Sequence, residues 1–537
     1  MGSFKKLLSW SNLAIIIVLF LIGGQNYTMK LYKNEGRVIA SDVINYYAYI
    51  PTMLIYNAPD FKFKPQDFEK IKRYVWPHPV GNGNSIVYTT MGMSLAYLPF
   101  IAAVHFPLKW MGLPATGFTP PYRIALILAC LAYLLLALIL LKKVLSKYFN
   151  DITSAITILL LALGTNLLYY SIDEPAMTHA FNFSFGVFFL YLTMKWHEKP
   201  SVLRSVLTGL VIGMIALIRI PDAIIAIVFV FWEVHSVSSF KEKIVKFWKY
   251  KFLILLIILS ALLIWIPQLI YWKTFTGQFF YNSYSDDGSQ FFFTNPPILQ
   301  SFFSYRKGWF LYTPAMLLLF PGIYFLWKKQ RHLFLPVVLY FILNTWIVAS
   351  WYIYWYGGSY GLRAYIASYS IISLLIASVI YSLLESKKFV LKALAFLIPL
   401  VFILHNLFQL QQNRKGAIHY FSMTKEAYWD SFGRKTPSPR FYYLLSPPNY
   451  DSARAGVYPK SVVDPLYTGE LDYENALKRF TLQYYQKLDK DQNLMISDLK
   501  EARQKNISYN EHIKTKARVR FSEMVRNKII LLRENSK

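Results

Sequence analysis

The chain has 537 residues, of which 55% are hydrophobic and only 16% charged, with a mean hydropathy of +0.32 and a formal net charge of +28. Soluble globular chains carry roughly a quarter charged residues. This composition excludes a soluble enzyme and a disordered chain. The single cysteine, Cys130, excludes a disulfide scaffold and a cysteine-based zinc site. An all-α polytopic membrane protein is therefore predicted.

Long apolar runs predict eleven transmembrane helices. The predicted spans cover approximately 7–24, 122–142, 153–170, 180–196, 203–219, 221–235, 252–272, 309–327, 333–350, 364–384 and 389–407. No small-x-small cleavage site follows the first run, which favours an uncleaved span over a signal peptide. Residues 92–111 are also apolar, but Pro99 and Pro107 favour an outer juxtamembrane helix.

Every second loop is rich in lysine and arginine, as at 142–152, 241–251 and 387–392. Basic loops are typical of the cytoplasmic side, so the charge pattern explains the high net charge without a nucleic-acid partner. It predicts a cytoplasmic-membrane protein with its N-terminus in the cytoplasm and its C-terminus outside. If 92–111 crosses the membrane instead, the chain has twelve spans with the N-terminus outside.

The predicted organisation has two parts. Residues 1–407 form a transmembrane domain, in which 25–121 is the first extracytoplasmic loop. Residues 408–537 form an extracytoplasmic region, with loops over 414–470 and two or three charged amphipathic helices over 472–535. We find no internal repeat in the sequence.

The first polar cluster follows the first span. On a helix, Asp42, Asn45 and Tyr49 share one face at the level of the membrane surface. Alternatively, Ser41 or Asp42 only caps this helix. Capping explains Asp42 but not the clustered aromatic residues behind it.

The second polar cluster follows the third predicted span. Asp173 and Glu174 are adjacent carboxylates, and His179 follows them at the same membrane face. Such groups suit general acid–base catalysis or a metal ion. The alternative is a turn in which a carboxylate caps the next helix and His179 packs in the core.

Basic and aromatic residues lie at the same predicted face. Four cations there could hold a phosphate group: Arg219, Arg306, Lys307 and Arg363. Aromatic rings beside Gly357 and Gly358 could stack on a sugar ring. The alternative is an ordinary aromatic belt with cations that reach the interface. The sequence contains no GxxxxGK[ST] and no GxGxxG motif in a strand–helix setting, which argues against a nucleotide donor.

This arrangement resembles the GT-C superfamily of membrane glycosyltransferases, which includes protein O-mannosyltransferases and aminoarabinose transferases. Members share an acidic residue after the first span, here Asp42, and an outer juxtamembrane helix, here 92–111. They have a second acidic site after the third span, here Asp173-Glu174, and often an extracytoplasmic tail domain. The resemblance covers residues 1–407 by architecture.

Two departures separate this chain from parts of that superfamily. Ser41-Asp42 stands where the mannosyltransferases have Asp-Glu, and Trp351-Tyr352-Ile353 is only loosely similar to the WWD signature of oligosaccharyltransferases. These departures put a metal requirement and transfer to protein asparagine in doubt.

The resemblance implies an inverting transfer of a sugar from a polyprenyl-phosphate carrier to a lipid, glycan or protein acceptor at the outer face. Asp42 would be the general base. The donor phosphate would bind to Arg219, Arg306, Lys307 and Arg363. The sugar or acceptor would bind to Tyr46, Trp351, Trp355 and Tyr360. Asp173, Glu174 and His179 would position Asp42, the acceptor or a divalent cation.

The expected cation, if one is used, is Mg²⁺ or Mn²⁺, held by Asp42, Asp173 and Glu174. Three other functions stay open. A transporter or flippase of lipid-linked sugars could use the same binding groups, but the sequence shows neither midplane charges nor related halves. A structural scaffold would have no use for the converging polar groups. A ligase or polymerase of surface polysaccharide would use similar donors.

Overall fold

The computed structural model describes residues 9–81, 83–438, 440–458, 477, 480–482, 484–485, 488, 491–505 and 507–534. The first two residues of the predicted first span and residues 459–476 of the predicted tail therefore lie outside the described residues. The chain divides into two compact units. The second unit consists of Ser304–Lys307, Gly357–Ser359 and the chain from Phe408 onwards, and the first contains the rest.

The first unit is built almost entirely from helices. In chain order they are α1 (Trp10–Met29), α2 (Asp42–Tyr47), α3 (Pro65–Ile71), α4 (Gly92–Trp110), α5 (Pro120–Tyr148), α6 (Asp151–Leu163), α7 (Leu167–Ile172), α8 (Thr178–Glu198), α9 (Val202–Ile218), α10 (Ala226–Phe231), α11 (Val237–Lys249), α12 (Lys251–Thr276), α13 (Ile298–Phe303), α14 (Trp309–Tyr312), α15 (Leu319–Lys329), α16 (Arg331–Ser350), α17 (Tyr369–Leu384) and α18 (Phe389–Arg414), of which α18 ends in the second unit.

Short elements connect these helices. They are the 3₁₀ turns Leu31–Lys33, Lys72–Tyr74, Ile220–Ile225, Ser283–Asp287, Pro314–Leu318 and Arg363–Ser368, and the π-helical turn Ile50–Ile55. One antiparallel pair of two-residue strands, β1 (His78–Pro79) and β2 (Ser85–Ile86), pairs His78 with Ile86.

The described part of the second unit is also helical. It contains α19 (Lys425–Ser431), the 3₁₀ turn Phe441–Tyr443, α20 (Tyr450–Arg454), α21 (Gln492–Gln504) and α22 (Tyr509–Glu534). Helices α21 and α22 fall within the stretch for which the sequence predicts charged helices.

Six helical segments among the described residues are long and apolar enough to cross a membrane. They are Trp10–Lys33, Pro120–Tyr148, Lys251–Thr276, Arg331–Ser350, Arg363–Leu384 and Phe389–Arg414. Three shorter apolar helices are Asp151–Leu163, Val202–Ile218 and Ile220–Phe231. The predicted class, a helical protein suited to several membrane crossings, is confirmed in this form, and the number of eleven spans stays a prediction.

Two predicted spans are interrupted. The run 153–170 forms two helices, α6 and α7, with Gly164 between them. The run 309–327 breaks before Pro314, because proline lacks a donor N–H and disfavours helical backbone in the residue before it. Thr313 accordingly has φ −140° and ψ 64°, outside the helical region.

Helices α9 and α12 approach each other closely at two glycines one helical turn apart. A Cβ atom at Gly209 would come within 2.2 Å of the Ile257 carbonyl oxygen, and one at Gly213 within 2.4 Å of Ile264. This spacing is the small-residue pattern by which apolar helices pack through backbone contact where lipid surrounds them. The pair anchors the end of α9, which leads directly to Arg219.

Candidate active site

The segment that carries Asp42 is fixed to the helices beside it by hydrogen bonds from buried arginine and asparagine side chains. The fully buried guanidinium of Arg123 on α5 donates to the carbonyls of Tyr32 and Phe118, each at 2.8 Å. Asn26 at the end of α1 donates to the Ser171 carbonyl at 3.1 Å. These bonds bring the residues after the first span beside the end of α7, where the second polar cluster begins.

Asp42 is the first residue of α2. The preceding Ser41 has φ 51°, an uncommon conformation for a residue with a side chain, and its hydroxyl makes no capping hydrogen bond. The alternative in which Ser41 caps the helix therefore does not describe this turn. Tyr46 sits one turn further on, where its carbonyl accepts a hydrogen bond from Ser94 at 2.7 Å.

Asp42 and Arg363 form an ion pair, although 321 positions separate them in the chain. Arg363 Nη2 lies 3.0 Å from Asp42 Oδ2. The Arg363 side chain is 14% exposed and that of Asp42 44%. A guanidinium has five N–H donors, and among the described residues only the Asp42 carboxylate accepts from Arg363. The pair thus combines an accessible carboxylate with a largely buried cation that has donors to spare.

Glu174 belongs to the same electrostatic cluster. Tyr169 donates its hydroxyl to Glu174 Oε1 at 3.1 Å. Burial raises the pKa of Glu174 above its ordinary value, the nearby Arg363 and the Tyr169 hydrogen bond oppose this, and the Asp42 charge adds to it. The charges of Asp42 and Arg363 therefore both act on the Glu174 carboxyl.

Asp173 and His179, the other predicted members of the second cluster, are buried. The Asp173 backbone carbonyl accepts a hydrogen bond from Arg37 at 3.4 Å. The His179 ring packs edge-on against Tyr170 with 4.7 Å between centroids, and its Nε2 is buried without a hydrogen-bond partner among the described residues. In the described part of the chain, no three His, Cys, Asp or Glu side chains form a group that could hold a metal ion.

Arg219 is held beside the residue that follows Arg363. Its Nη1 donates to the Ala364 carbonyl at 3.4 Å and lies 3.6 Å from Asp222 Oδ1. The guanidinium also lies over the Tyr356 ring, 5.4 Å from its centroid. Asn182 donates to the other oxygen of Asp222 at 2.5 Å, which fixes the carboxylate that orients Arg219.

Two tyrosines complete the group, and the sequence analysis missed one of them. Burial and the Asp42 charge raise the pKa of Tyr46. The same two causes raise the pKa of Tyr284 to about 12. Tyr284 lies edge-on to Trp351 at 5.8 Å between centroids. The signal that could have found it is the turn-rich run Ser283-Tyr284-Ser285-Asp286-Asp287 in a predicted outer loop.

The remaining predicted aromatic residues have different surroundings. Trp351 packs against Phe291 at 4.8 Å between ring centroids. Trp355 and Tyr360 are buried, and the Tyr360 hydroxyl donates to Asn406 Oδ1 at 3.2 Å. Tyr360 therefore contributes to the packing of the first unit next to Tyr169, whose ring centroid is 5.3 Å away.

Two of the predicted phosphate-binding residues belong to the second unit. Arg306 donates through Nη1 to the carbonyls of Ser446 at 2.9 Å and Phe421 at 3.1 Å. Lys307 donates to the Ser359 carbonyl. Both side chains are buried, and these bonds join segments of the second unit that are distant in sequence.

The first unit thus brings together what we call the Asp42 cluster: Asp42, Tyr46, Glu174, Arg219, Tyr284 and Arg363. Comparisons with models of known protein families and with curated proteins find no match to this chain.

Proposed function

We propose that this protein is a membrane glycosyltransferase of the GT-C type, which moves a sugar from a polyprenyl-phosphate-linked donor to an acceptor at the outer face of the cytoplasmic membrane. The observation that carries the proposal is the Asp42–Arg363 pair, in which an accessible carboxylate meets a cation with unused donors. In the proposed topology eleven spans leave the N-terminus in the cytoplasm and the tail outside.

The reaction needs a base and an anion-binding group on opposite sides of the sugar carbon. The acceptor hydroxyl attacks the anomeric carbon and transfers its proton to the Asp42 carboxylate. The bond between that carbon and the phosphate oxygen breaks, and its electron pair leaves with the polyprenyl phosphate. Arg363, with Arg219 beside it, stabilises the charge that develops on the leaving phosphate.

The pair also suggests how the ligand-free site is maintained. In the absence of donor, each charge of the pair neutralises the other. A phosphate group would compete with Asp42 for the Arg363 guanidinium, because arginine binds phosphate through two parallel hydrogen bonds. Donor binding would then release Asp42 to act as base. Asp42, Asp173 and Glu174 do not form a metal-binding group among the described residues, so no step is assigned to a metal ion.

Binding of a lipid phosphate tests the proposal directly. Purified full-length protein is titrated with farnesyl phosphate and with farnesol, and the change in thermal stability is followed. We expect stabilisation by the phosphate only. Arg363→Gln should weaken binding by about 10- to 100-fold, the usual value of a hydrogen bond to a charged group. The matched control is Arg73→Gln, which removes an exposed arginine paired with Glu35.

Turnover then separates a transferase from a transporter. Protein in liposomes is given radiolabelled polyprenyl-phosphate hexoses with a membrane extract as acceptor source, and release of polyprenyl phosphate is measured. Release supports the transferase. Binding without release would favour a transporter or flippase. Equal binding of farnesol and farnesyl phosphate would contradict both the transferase and the transporter, because neither would then recognise the phosphate.

A further inference from the structure

Helix α11 has a stripe of largely exposed apolar side chains. Val237, Ile244, Val245 and Trp248 lie on one side of the helix, and Trp248 is 72% exposed. Spacings of three, four and seven residues place such side chains in one continuous stripe. A stripe of this kind is unfavourable in water and indicates a partner with an apolar surface.

The opposite side of α11 packs on the first unit. The Phe247 ring lies 5.8 Å from Phe229 and 6.0 Å from Trp196, measured between centroids. Lys246 donates its ammonium to the His197 carbonyl at 2.6 Å. These contacts fix the rotation of the helix about its own axis, so the apolar stripe is held pointing away from the protein.

The position of α11 in the chain defines what the stripe meets. Only Tyr250 separates its last residue, Lys249, from Lys251, the first residue of the membrane-spanning helix α12. Only four of the 26 residues of α12 are buried, as expected of a helix that faces lipid along much of its surface. A helix joined to the end of a span at this distance lies at the depth where the hydrocarbon meets the headgroups.

Lys243 gives this surface its charge preference. The residue is only 7% exposed, and its ammonium lies over the Phe247 ring, 5.8 Å from the centroid, without a hydrogen bond or ion pair to any described residue. Burial and the neighbouring Lys246 lower the pKa of Lys243 to about 8. The stem of Lys243 is buried but its ammonium nitrogen keeps accessible surface, as in lysines that extend toward an interface, so an anion can reach it.

We propose that α11 is a binding site for anionic phospholipid, in which the apolar stripe enters the boundary of headgroups and acyl chains and Lys243 binds the lipid phosphate. The site is separate from the Asp42 cluster and does not depend on the glycosyltransferase proposal. The chemistry fits because interfacial helices combine apolar burial with attraction between lysines and anionic headgroups.

Quenching by lipid and by iodide tests the depth of the stripe. In a Cys130→Ala background, a fluorescent label is placed at Ile244→Cys and, as the control on the polar side, at Glu242→Cys, with the protein in phosphatidylglycerol-containing liposomes. We expect brominated lipid to quench the label at position 244 and aqueous iodide to quench the label at 242. Iodide quenching at 244 would overturn the proposal, and so would protection from both quenchers, because another protein surface would then cover the stripe.

Lipid titration tests the role of Lys243. Detergent-solubilised full-length protein is titrated with phosphatidylglycerol, phosphatidylcholine and inorganic phosphate, and thermal stability is measured. We expect stabilisation by phosphatidylglycerol above the other two, and Lys243→Met should reduce this preference about fivefold. The control is Lys195→Met, because the Lys195 ammonium is already paired with Glu198 at 2.7 Å.

Equal stabilisation by phosphatidylglycerol and phosphatidylcholine would overturn the proposal, as would an equal effect of the two lysine substitutions. Stabilisation by inorganic phosphate to the same extent would show that the lipid is not the ligand. Should Lys243→Met fail to fold, Lys243→Arg keeps the charge and should retain the lipid preference, and its loss in that variant would equally contradict the assignment.

Discussion

The chain contains two clusters of charged residues that are built in opposite ways. In the first unit, Asp42 pairs with Arg363 across 321 positions, and the carboxylate is 44% exposed with one described partner. In the second unit, Asp498 is fully buried. It accepts from Tyr484 at 3.0 Å and from Lys516, eighteen positions away in the chain.

The members of the second cluster contact one another. Lys516 also donates to Glu501 at 2.9 Å, and His512 Nε2 lies 3.7 Å from Glu501 and 3.9 Å from Asp498. These residues connect α21 and α22 of the helical tail. Because the buried Asp498 carboxylate has its hydrogen-bond donors within the fold, removing one of these partners would leave a buried charge unpaired and weaken the contact between the two helices.

The comparison indicates which property distinguishes a binding site from a structural ion pair in this protein. Both clusters contain carboxylates beside cations, so residue type does not separate them. They differ in the central carboxylate: Asp498 is fully buried and accepts from two donors, whereas Asp42 is 44% exposed and accepts from one. The Asp42 cluster keeps an exposed carboxylate and unused guanidinium donors, and substitutions should therefore affect activity there and stability in the Asp498 cluster.

Asp42→Asn should have the largest effect on activity. Removing a general base typically lowers the rate by about 10²- to 10⁴-fold. Folding should be affected less than activity: the largely buried Arg363 loses its charged partner, but the asparagine amide oxygen can still accept its hydrogen bond. Release of polyprenyl phosphate and thermal stability are measured together, with Asp60→Asn as the control, since Asp60 pairs with Lys62 at 3.0 Å in the same long loop. Full activity of Asp42→Asn would remove Asp42 from the mechanism.

Asp498→Asn should affect stability and spare the chemistry. Breaking a buried ion pair by neutralising one partner costs about 3–5 kcal/mol. Hydrogen exchange in α21 and α22 should accordingly be faster by about 10²-fold or more. The control is Asp491→Asn, because Asp491 caps α21 through the Leu494 amide at 3.1 Å and asparagine caps a helix equally well. Unchanged exchange in Asp498→Asn would show that the cluster does not hold the tail together.

The sequence predicts the helices better than the contacts between them. Apolar runs identify the long helices because hydrophobicity along the chain is a local property. Hydropathy does not predict the break before Pro314, because the run 309–327 is apolar on both sides of the proline. The close approach of α9 and α12 at Gly209 and Gly213 depends on the side chains of both helices, so the sequence of one helix alone does not predict it.

The candidate site was predictable in its parts. Asp42, Glu174 and Arg363 were each identified from local patterns, but no local pattern reports which carboxylate meets which arginine. Tyr284 was not predicted, because the turn-rich run around it indicates an outer loop but not which charged residue lies near the tyrosine. Arg306 was predicted as a phosphate ligand from its place in an outer loop. Its guanidinium instead donates to the backbone carbonyls of Phe421 and Ser446, which the local sequence does not indicate.

Glu174→Gln should have the smallest effect, and it tests which protonation state of Glu174 the folded protein favours. Burial raises the pKa of Glu174 above its ordinary value of 4.5, so the folded protein favours the protonated form. The resulting stability is complete below the ordinary pKa and is lost as the pH rises through the raised value. At neutral pH the glutamine variant should therefore be as stable as the wild type or slightly more stable. The stability of the wild type relative to the variant should increase as the pH falls.

Thermal stability of both proteins, measured from about pH 8 down to about pH 4, follows this change across the range in which a carboxyl of raised pKa titrates. The reference is Glu69→Gln, which removes an exposed carboxylate paired with Lys72 at 2.8 Å. A glutamine variant that is less stable at neutral pH, with the difference shrinking on acidification, would mean that the ionised carboxylate is the favoured form. Arg363 would then be a shared partner of Glu174 and Asp42 rather than a cation available to phosphate, and the Asp42 cluster would be more like the structural ion pairs of Asp498.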